Sequence, residues 1–164
     1  LYVGRLEEYK GVQYIIQSLP ELHNFQLRIV GKGPYETELR NMAKNLGVEG
    51  RVEWLKDLTR KELLKCYADA DIFLMLSSYE AYGITVAEAL AAGTPCVVAK
   101  GSALEEFVDG ENCIGIENPV TKEKVAKALR EFEKEERKGN SRIDKTIMDW
   151  NEVSARIEKQ YIQN

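Results

Sequence analysis

The sequence is poor in the residues that build disulfide frameworks, metal sites and membrane spans. Its 164 residues include three cysteines and one histidine. Cys66, Cys96 and Cys113 are too far apart for a C-x-x-C pair, so free buried thiols in a reducing cytosol are expected. His23 is the single histidine, so we predict no metal site and assign it to a surface turn. The longest apolar run, residues 72–76, is far shorter than the ~18 residues of a membrane helix, and no transmembrane segment is predicted.

An excess of positive charge is also missing. Lys and Arg total 23 against 27 Asp and Glu, which gives a net charge of −4. Because no sequence-wide positive field exists to hold a phosphate backbone, nucleic acid is not expected as a partner. The sequence begins at Leu1 without a basic and apolar leader, so we expect no signal peptide and a piece of a longer protein. At roughly 100–200 residues per domain, the length indicates a single domain over residues 1–164.

Short apolar runs alternate with segments of helical periodicity along most of the chain. This alternation is typical of βα units, and it predicts a Rossmann-like, doubly wound parallel sheet of about six strands in a three-layer α/β/α domain. The predicted strands are 1–3, 27–30, 52–55, 72–76, 96–99 and 113–116. In such a sheet ligands bind beyond the carboxyl ends of the strands, so functional residues are expected in the loops that follow them.

Local signals predict where several helices begin and end. Thr59 with Glu62, and Ser102 with Glu105, have the spacing of a capping box. Pro34 is expected at the first position of a helix. Apolar stripes predict two amphipathic helices, one through Leu39, Met42, Ala43 and Leu46, which stops at Gly47, and one through Val125, Ala128, Leu129 and Phe132.

Two further signals concern the later part of the chain. The helix that holds residues 87–92 is predicted to end at Gly93, because Pro95 blocks its continuation. A C-terminal helical tail is predicted over about residues 141–164, with its apolar stripe at Trp150, Val153, Ile157 and Tyr161.

Two loops have residues suited to an anion. Arg5 and Lys10 follow the first predicted strand among glycines, and together they suit a diphosphate, although solvated surface charges would look the same. Gly31 and Gly33 follow the second strand. The third glycine of a dinucleotide fingerprint would fall at Glu36, so a tight turn remains as the interpretation.

The segment from residue 77 to residue 95 is the most informative part of the sequence. Glu80 lies in the loop after an apolar strand, and Gly83 stands at the expected start of a helix whose free amides suit an anion. Glu88 falls inside that otherwise apolar helix, where an unpaired carboxylate is costly, so we predict a specific polar partner for it. The D-x-D spacing of Asp69 and Asp71 lies at the amino end of a strand, which favours a helix-to-strand turn over a metal site.

In combination, these features resemble the C-terminal domain of the family four retaining glycosyltransferases, which have the two-domain GT-B architecture. The resemblance covers nearly the whole chain. Its matching pieces are, in order, Gly4-Arg5-Leu6, Lys10-Gly11, Gly31-Lys32-Gly33-Pro34, Glu80, Tyr82-Gly83, Glu88, Gly93-Thr94-Pro95, Gly101, Glu105, Asp109-Gly110 and Trp150.

The resemblance implies a role for each matching residue. Arg5 and Lys10 match the pair that binds the donor diphosphate, and with Glu80, which matches the acidic residue against the donor sugar, they form the expected catalytic set. Glu88 matches the carboxylate that accepts hydrogen bonds from the ribose. The other expected donor-binding positions are Gly31 and Gly33, then Lys56 and Leu58, which lie near the base, and Tyr82, Gly83, Ile84 and Thr85, whose backbone meets the sugar and phosphate.

Several positions depart from the pattern of that family. Tyr82 replaces the more usual phenylalanine, Lys56 replaces a glycine near the base, residues 101–103 replace a double glycine, and Cys113 replaces another glycine. Glu105 matches a recurrent glutamate, and the sequence leaves open whether it acts there or only caps its helix.

The resemblance implies a cytoplasmic, metal-independent, retaining hexosyltransferase that needs no cofactor, and it leaves open a peripheral position at the inner membrane face. Its donor would be a UDP-, GDP- or ADP-sugar, its acceptor a glycan, a lipid-linked sugar or a small molecule, and an N-terminal domain absent from this chain would hold that acceptor. The chain alone is therefore expected to bind the donor without transfer. Two alternatives remain: a non-catalytic nucleotide- or sugar-phosphate-binding module of the same fold, and a cofactor-binding oxidoreductase domain, which the missing third glycine disfavours.

Overall fold

The computed structural model describes residues 1–137. Six strands and five α-helices follow one another along this part of the chain, with short 3-10 turns between them. The strands are β1 (Tyr2–Val3), β2 (Leu27–Val30), β3 (Val52–Leu55), β4 (Phe73–Met75), β5 (Cys96–Ala99) and β6 (Cys113–Ile116). The helices are α1 (Val12–Ser18), α2 (Glu36–Asn45), α3 (Arg60–Asp69), α4 (Ile84–Ala91) and α5 (Lys122–Arg137).

All paired strands run parallel. They form two three-stranded sheets, with the orders β1-β2-β3 and β4-β5-β6. The two sheets meet edge to edge at Leu1, whose backbone nitrogen donates to Ile72 O at 2.8 Å and whose carbonyl accepts from Leu74 N–H at 2.8 Å. The strand order across the molecule is therefore β3-β2-β1-β4-β5-β6, and it reverses between β1 and β4. Such a switch point is where doubly wound domains bind ligands.

Helices lie on both faces of the sheet. α1 packs against α2 and α5, while α3 packs against α4. The stripe predicted on α5 is confirmed, because all four of its residues are buried. β4 and β5 are buried along their whole length, which explains why they read in the sequence as continuous apolar runs. The predicted α/β class and six-stranded parallel arrangement are confirmed.

The predicted helix starts agree with the structure to different degrees. Thr59 and Glu62 form the complete capping box predicted at the start of α3. At Ser102 the predicted helix start is confirmed, since Ser102 Oγ accepts from Leu104 N–H as the N-cap, but the helix is a 3-10 helix, Ala103–Phe107, and the capping box is not formed. Pro34 also lies outside its predicted position, since it occupies the turn before α2.

Other expectations agree with the fold. Gly47 and Gly93 follow α2 and α4 with positive φ, as predicted for helix ends. The three cysteines are free and buried, and His23 lies in an exposed turn. In residues 1–137, no helix is both long and apolar enough to cross a membrane. The predicted tail at about 141–164 lies outside the described residues.

Candidate nucleotide-sugar site

The loops that follow β1 and β4 meet at the switch point. Lys10 Nζ donates to Glu80 Oε2 at 2.6 Å, although the two residues are 70 positions apart. Their side chains are only 13% and 20% exposed, so the pair lies in a recess of the surface. Topology thus brings together two of the three residues that the sequence predicted to form the catalytic set.

Backbone contacts fix these two loops against each other. Ser78 N–H donates to Tyr9 O at 2.9 Å, one residue before Lys10. Gly11 has φ +75, and a Cβ there would lie 2.3 Å from Leu76 O. Only glycine fits at this position, so the start of α1 approaches the end of β4 closely.

Arg5, the third residue of the predicted set, is more open to solvent. Its side chain is 70% exposed, and its Nε donates to Glu7 Oε1 at 2.6 Å. The buried Tyr2 hydroxyl donates to Arg5 O at 2.8 Å and fixes the backbone of the turn. Arg5 therefore has a fixed backbone and a largely exposed side chain.

The predicted tight turn after β2 is confirmed, and its glycines serve packing. A Cβ on Gly31 would lie 1.9 Å from Gly4 O, and one on Gly33 would lie 2.1 Å from Leu6 O. The first loop thus rests directly on the second, and no side chain fits between them. Any contact of these two glycines with a donor stays a prediction.

The amino end of α4 faces the same edge. Gly83 begins the helix with φ +65 and makes no side-chain cap hydrogen bond. A Cβ on it would lie 2.9 Å from Leu104 Cδ2 and 2.9 Å from Phe107 Cε2. Ile84 and Thr85 follow as the first helical residues, and their amides need acceptors from outside the helix.

Glu88 has the specific polar partner that the sequence predicted. The Tyr67 hydroxyl donates to Glu88 Oε2 at 2.7 Å. Burial raises the pKa of the Glu88 carboxyl, and this hydrogen bond opposes the rise. Sequence reasoning missed Tyr67, which lies on another helix, 21 positions away. The one available sequence signal for it was that a carboxylate in an apolar helix requires a hydrogen-bond donor nearby.

The loop predicted to meet the base has mixed exposure. Lys56 is exposed, whereas Leu58 packs partly against the core. Between them Asp57 adopts φ +53, a region unusual for a residue other than glycine. Lys32 Nζ donates to Asp57 Oδ1 at 3.0 Å, which joins this loop to the one after β2.

Large apolar side chains are exposed in the same loops, and the sequence analysis gave two of the four, Tyr9 and Tyr79, no role. Tyr9 is 45% exposed, Tyr79 71%, Tyr82 70% and Ile84 60%. All four lie in loops or helix starts after β1 and β4. Their position beside two motif carboxylates was the only signal that could have identified Tyr9 and Tyr79.

Three acidic residues outside the recess have local structural contacts. Glu105 Oε2 accepts from Gly101 N–H at 3.1 Å, which ties its own loop together. Asp109 Oδ1 accepts from the amides of Glu111, Asn112 and Cys113 before β6. Asp69 ends α3 and pairs with Lys65 at 2.7 Å, so the helix-to-strand turn predicted there is confirmed.

A cavity of about 580 Å³ lies at the opposite edge of the sheet. It is lined near the amino ends of the strands by residues that include Leu1, Leu27, Val52 and Ile72, and by none of the predicted site residues. Within residues 1–137, no group of three or more His, Cys, Asp or Glu side chains could hold a metal ion.

Fold and site together define a Rossmann-like domain with a polar recess at its topological switch point. The chain matches the model of the glycosyl transferases group 1 family over residues 1–149, and it belongs to that family. It is 39% identical over 114 residues to an uncharacterized glycosyltransferase of Methanocaldococcus jannaschii, with 68% of this chain and 29% of the relative covered. It is 37% identical over 121 residues to the D-inositol 3-phosphate glycosyltransferase of Corynebacterium efficiens, with 67% and 28% covered.

Solved structures agree on the fold. The chain superimposes on Anabaena HepE in complex with UDP with a TM-score of 0.79 at 24% identity, covering 99% of this chain and 46% of that one. It superimposes on the C-terminal domain of the group 1 glycosyl transferase LpcC from Francisella tularensis with a TM-score of 0.75 at 21% identity, covering 98% and 84%. The chain spans less than a third of the length of the two curated relatives.

Proposed function

We propose that this domain binds the nucleoside-diphosphate sugar of a retaining, metal-independent hexosyltransferase. The observation that carries the proposal is the Lys10–Glu80 pair, which joins the loops after β1 and β4 at 2.6 Å across the switch point. A cation suited to phosphate and a carboxylate suited to sugar hydroxyls are thereby adjacent in one recess.

The diphosphate would lie between Lys10, Arg5 and the first amides of α4. Cleavage of the bond between the sugar C1 and the phosphate oxygen leaves negative charge on the departing diphosphate. The two cations and the amides of Ile84 and Thr85 would stabilise that charge, the role that a divalent ion has in other transferases. Arg5 reaches this position by exchanging its exposed pairing with Glu7 for the ligand.

The remaining groups would orient the donor. Glu88 would accept the ribose hydroxyls, and Glu80 would bind the sugar hydroxyls. Because Glu80 already accepts a hydrogen bond from Lys10, we assign it orientation and electrostatic support instead of nucleophilic attack. Tyr82 and Gly83 would line the sugar and phosphate, Gly31 and Gly33 would line the diphosphate loop, and Lys56 to Leu58 would meet the base.

Calorimetry with UDP, GDP and ADP, each with a chelator present, tests this proposal. At least one nucleotide should bind, and R5A should weaken it about tenfold, the scale of one hydrogen bond to a charged group. Binding that requires Mn²⁺ would contradict the metal-independent mechanism.

Two further variants separate the proposed roles. E88A should weaken the bare nucleoside diphosphate and the nucleotide sugar alike, because both contain the ribose. E80A should spare the diphosphate and weaken only the sugar conjugate. Equal effects of both variants on both ligands would contradict the assignments.

We further propose that transfer needs an N-terminal domain that holds a glycan, lipid-linked or small-molecule acceptor, and that the protein works in the cytoplasm. The free buried cysteines fit a reducing compartment. A radiolabelled-donor assay should show no transfer by this chain and transfer when the upstream domain is supplied. Binding without transfer in both arms would favour a non-catalytic nucleotide-binding module.

A further inference from the structure

Tyr67 is a buried point of contact between α3 and α4. Its side chain has no solvent exposure, and its hydroxyl donates to Glu88 Oε2 at 2.7 Å. The rest of the residue is held firmly, because its carbonyl accepts from Thr94 Oγ1 and its ring lies 5.7 Å from that of Phe73. The hydroxyl is therefore a fixed donor.

Glu88 is held on one side only. It is half-buried and lies one helical turn after Ile84, whose side chain is 60% exposed. Among residues 1–137, Oε2 accepts from Tyr67, and no hydrogen bond to Oε1 is found. One oxygen is thus anchored inside the domain, and the other can accept from a ligand.

We propose that Tyr67 is a positioning residue for ribose recognition, which it controls by fixing the Glu88 carboxylate. The proposal rests on the proposed function, in which Glu88 accepts the ribose hydroxyls. Without the tyrosine hydroxyl, Glu88 can adopt other rotamers, and the hydrogen bond it offers the ribose weakens. Tyr67 itself touches no ligand in this scheme.

The electrostatics of the pair support this role. Burial raises the pKa of Glu88, and the Tyr67 hydrogen bond counteracts that rise and favours the ionised acceptor. Burial and the neighbouring Glu88 raise the pKa of Tyr67, so its hydroxyl remains a donor. In the described part of the chain, the other titratable groups acting on Tyr67 are the buried thiols of Cys66 and Cys96.

The test compares UDP, GDP and ADP with their 2′-deoxy forms in the wild type, Y67F and E88A. The wild type should prefer the ribonucleotide roughly tenfold or more, and E88A should abolish that preference. Y67F should reduce the preference about three- to tenfold. Y14F, at a half-buried tyrosine of α1, is the matched control and should retain the wild-type preference.

The outcomes separate the two claims. If E88A leaves the ribose preference intact, the proposed role of Glu88 fails. If E88A abolishes the preference and Y67F retains it, only the inference about Tyr67 is overturned. The pH profile adds a readout that a purely structural role would not move. As pH is lowered, nucleotide affinity should begin to fall at a higher pH in Y67F than in the wild type, because Glu88 protonates more readily without the Tyr67 hydrogen bond.

A measurement on the wild type covers the case in which Y67F does not fold. The hydrogen-bonded Tyr67 hydroxyl proton should give a slowly exchanging NMR signal in the free chain. That signal should persist at saturating nucleotide if Tyr67 supports Glu88 in the complex. Its disappearance on binding, with Glu88 still required for affinity, would overturn the inference.

Discussion

The two edges of the sheet differ in the polar contacts that hold their loops. At the amino edge, polar side chains satisfy the backbone of nearby loops. Arg51, just before β3, donates to the carbonyls of Leu19, Leu22 and Phe25, and Asp109, just before β6, accepts from three amides within four residues of itself. These contacts close loops.

At the carboxyl edge, polar side chains pair with one another across long separations. Lys10 and Glu80 join two loops at the switch point, and the first amides of α4 receive no side-chain cap. Large exposed tyrosines lie beside them. In the proposed function, the charged groups of this edge are held in place by side-chain partners that a ligand can share or displace.

The largest effect is expected from K10A. It removes the recessed cation and leaves Glu80 without its partner, so nucleoside-diphosphate binding should weaken by about 1.5–3 kcal/mol, roughly tenfold to a hundredfold. K65A is the control, because Lys65 forms an exposed ion pair with Asp69 at the amino edge, and such pairs contribute little. Calorimetry on both variants measures the contrast, and equal affinities would remove the functional distinction between the edges.

Glycine substitutions should destabilise the domain more at the carboxyl edge than at the amino edge. G33A places a Cβ 2.1 Å from Leu6 O and forces the first loop away from the second, which should cost about 1–3 kcal/mol of unfolding free energy. G50A, at the amino edge, meets no atom within 4 Å and should be close to neutral. Urea unfolding measures both. A neutral G33A would show that the two loops can move apart without cost.

Substitution of Arg51 should lower stability and leave nucleotide affinity unchanged. R51A removes the donor to three backbone carbonyls and should destabilise the domain by about 1–2 kcal/mol. Nucleotide affinity should not change, because these contacts lie at the edge opposite the recess. R28A, which breaks the partly exposed pair with Glu53, should cost less than about 1 kcal/mol. A loss of affinity in R51A would mean that the amino edge is coupled to the site.

The sequence predicted the strands well because buried parallel strands read as short apolar runs. It located β2, β3, β5 and β6 at their observed bounds, and the fold class predicted that functional loops lie at the carboxyl edge. Local signals were only partly right where one spacing fits two kinds of contact: Ser102 caps a helix as predicted, but the capping box is not formed. Ser102 and Glu105 have capping-box spacing, yet Glu105 bonds Gly101 N–H and the segment is a 3-10 helix.

The site itself was only partly predictable, for a physical reason. Lys10 and Glu80, and Tyr67 and Glu88, are pairs separated by 70 and 21 positions, so no local periodicity encodes them. The resemblance supplied Lys10, Glu80 and Glu88, whereas Tyr67 lies in no motif that was singled out. Supporting contacts of this kind become visible only when the helices are packed.

The smallest effect is expected from neutralising two glutamates that lie in opposite environments. The pKa of Glu88 is raised by burial, whereas the pKa of Glu62 is lowered by hydrogen bonds from the Thr59 side chain and backbone. Because the pKa of Glu88 is raised in the folded state, its contribution to stability is complete below the unfolded-state pKa of 4.5. That contribution is lost as pH rises through the folded-state pKa. A lowered pKa means that the contribution of Glu62 is present above 4.5 and is lost as pH falls.

E88Q and E62Q should therefore shift the melting temperature in opposite directions as pH increases. E88Q keeps an oxygen that can accept from Tyr67 and removes the partly buried charge, so it should match the wild type near pH 4 and melt at a higher temperature at pH 7. E62Q should melt at a lower temperature than the wild type at pH 7, and that deficit should shrink toward pH 4. E88Q should also lose nucleotide affinity while E62Q keeps it, because only Glu88 is assigned to the ribose. Thermal unfolding between pH 4 and 8 measures both slopes, and a wild type that gains stability over E88Q as pH rises would show that the Glu88 charge is stabilised in the fold instead of being retained for a ligand.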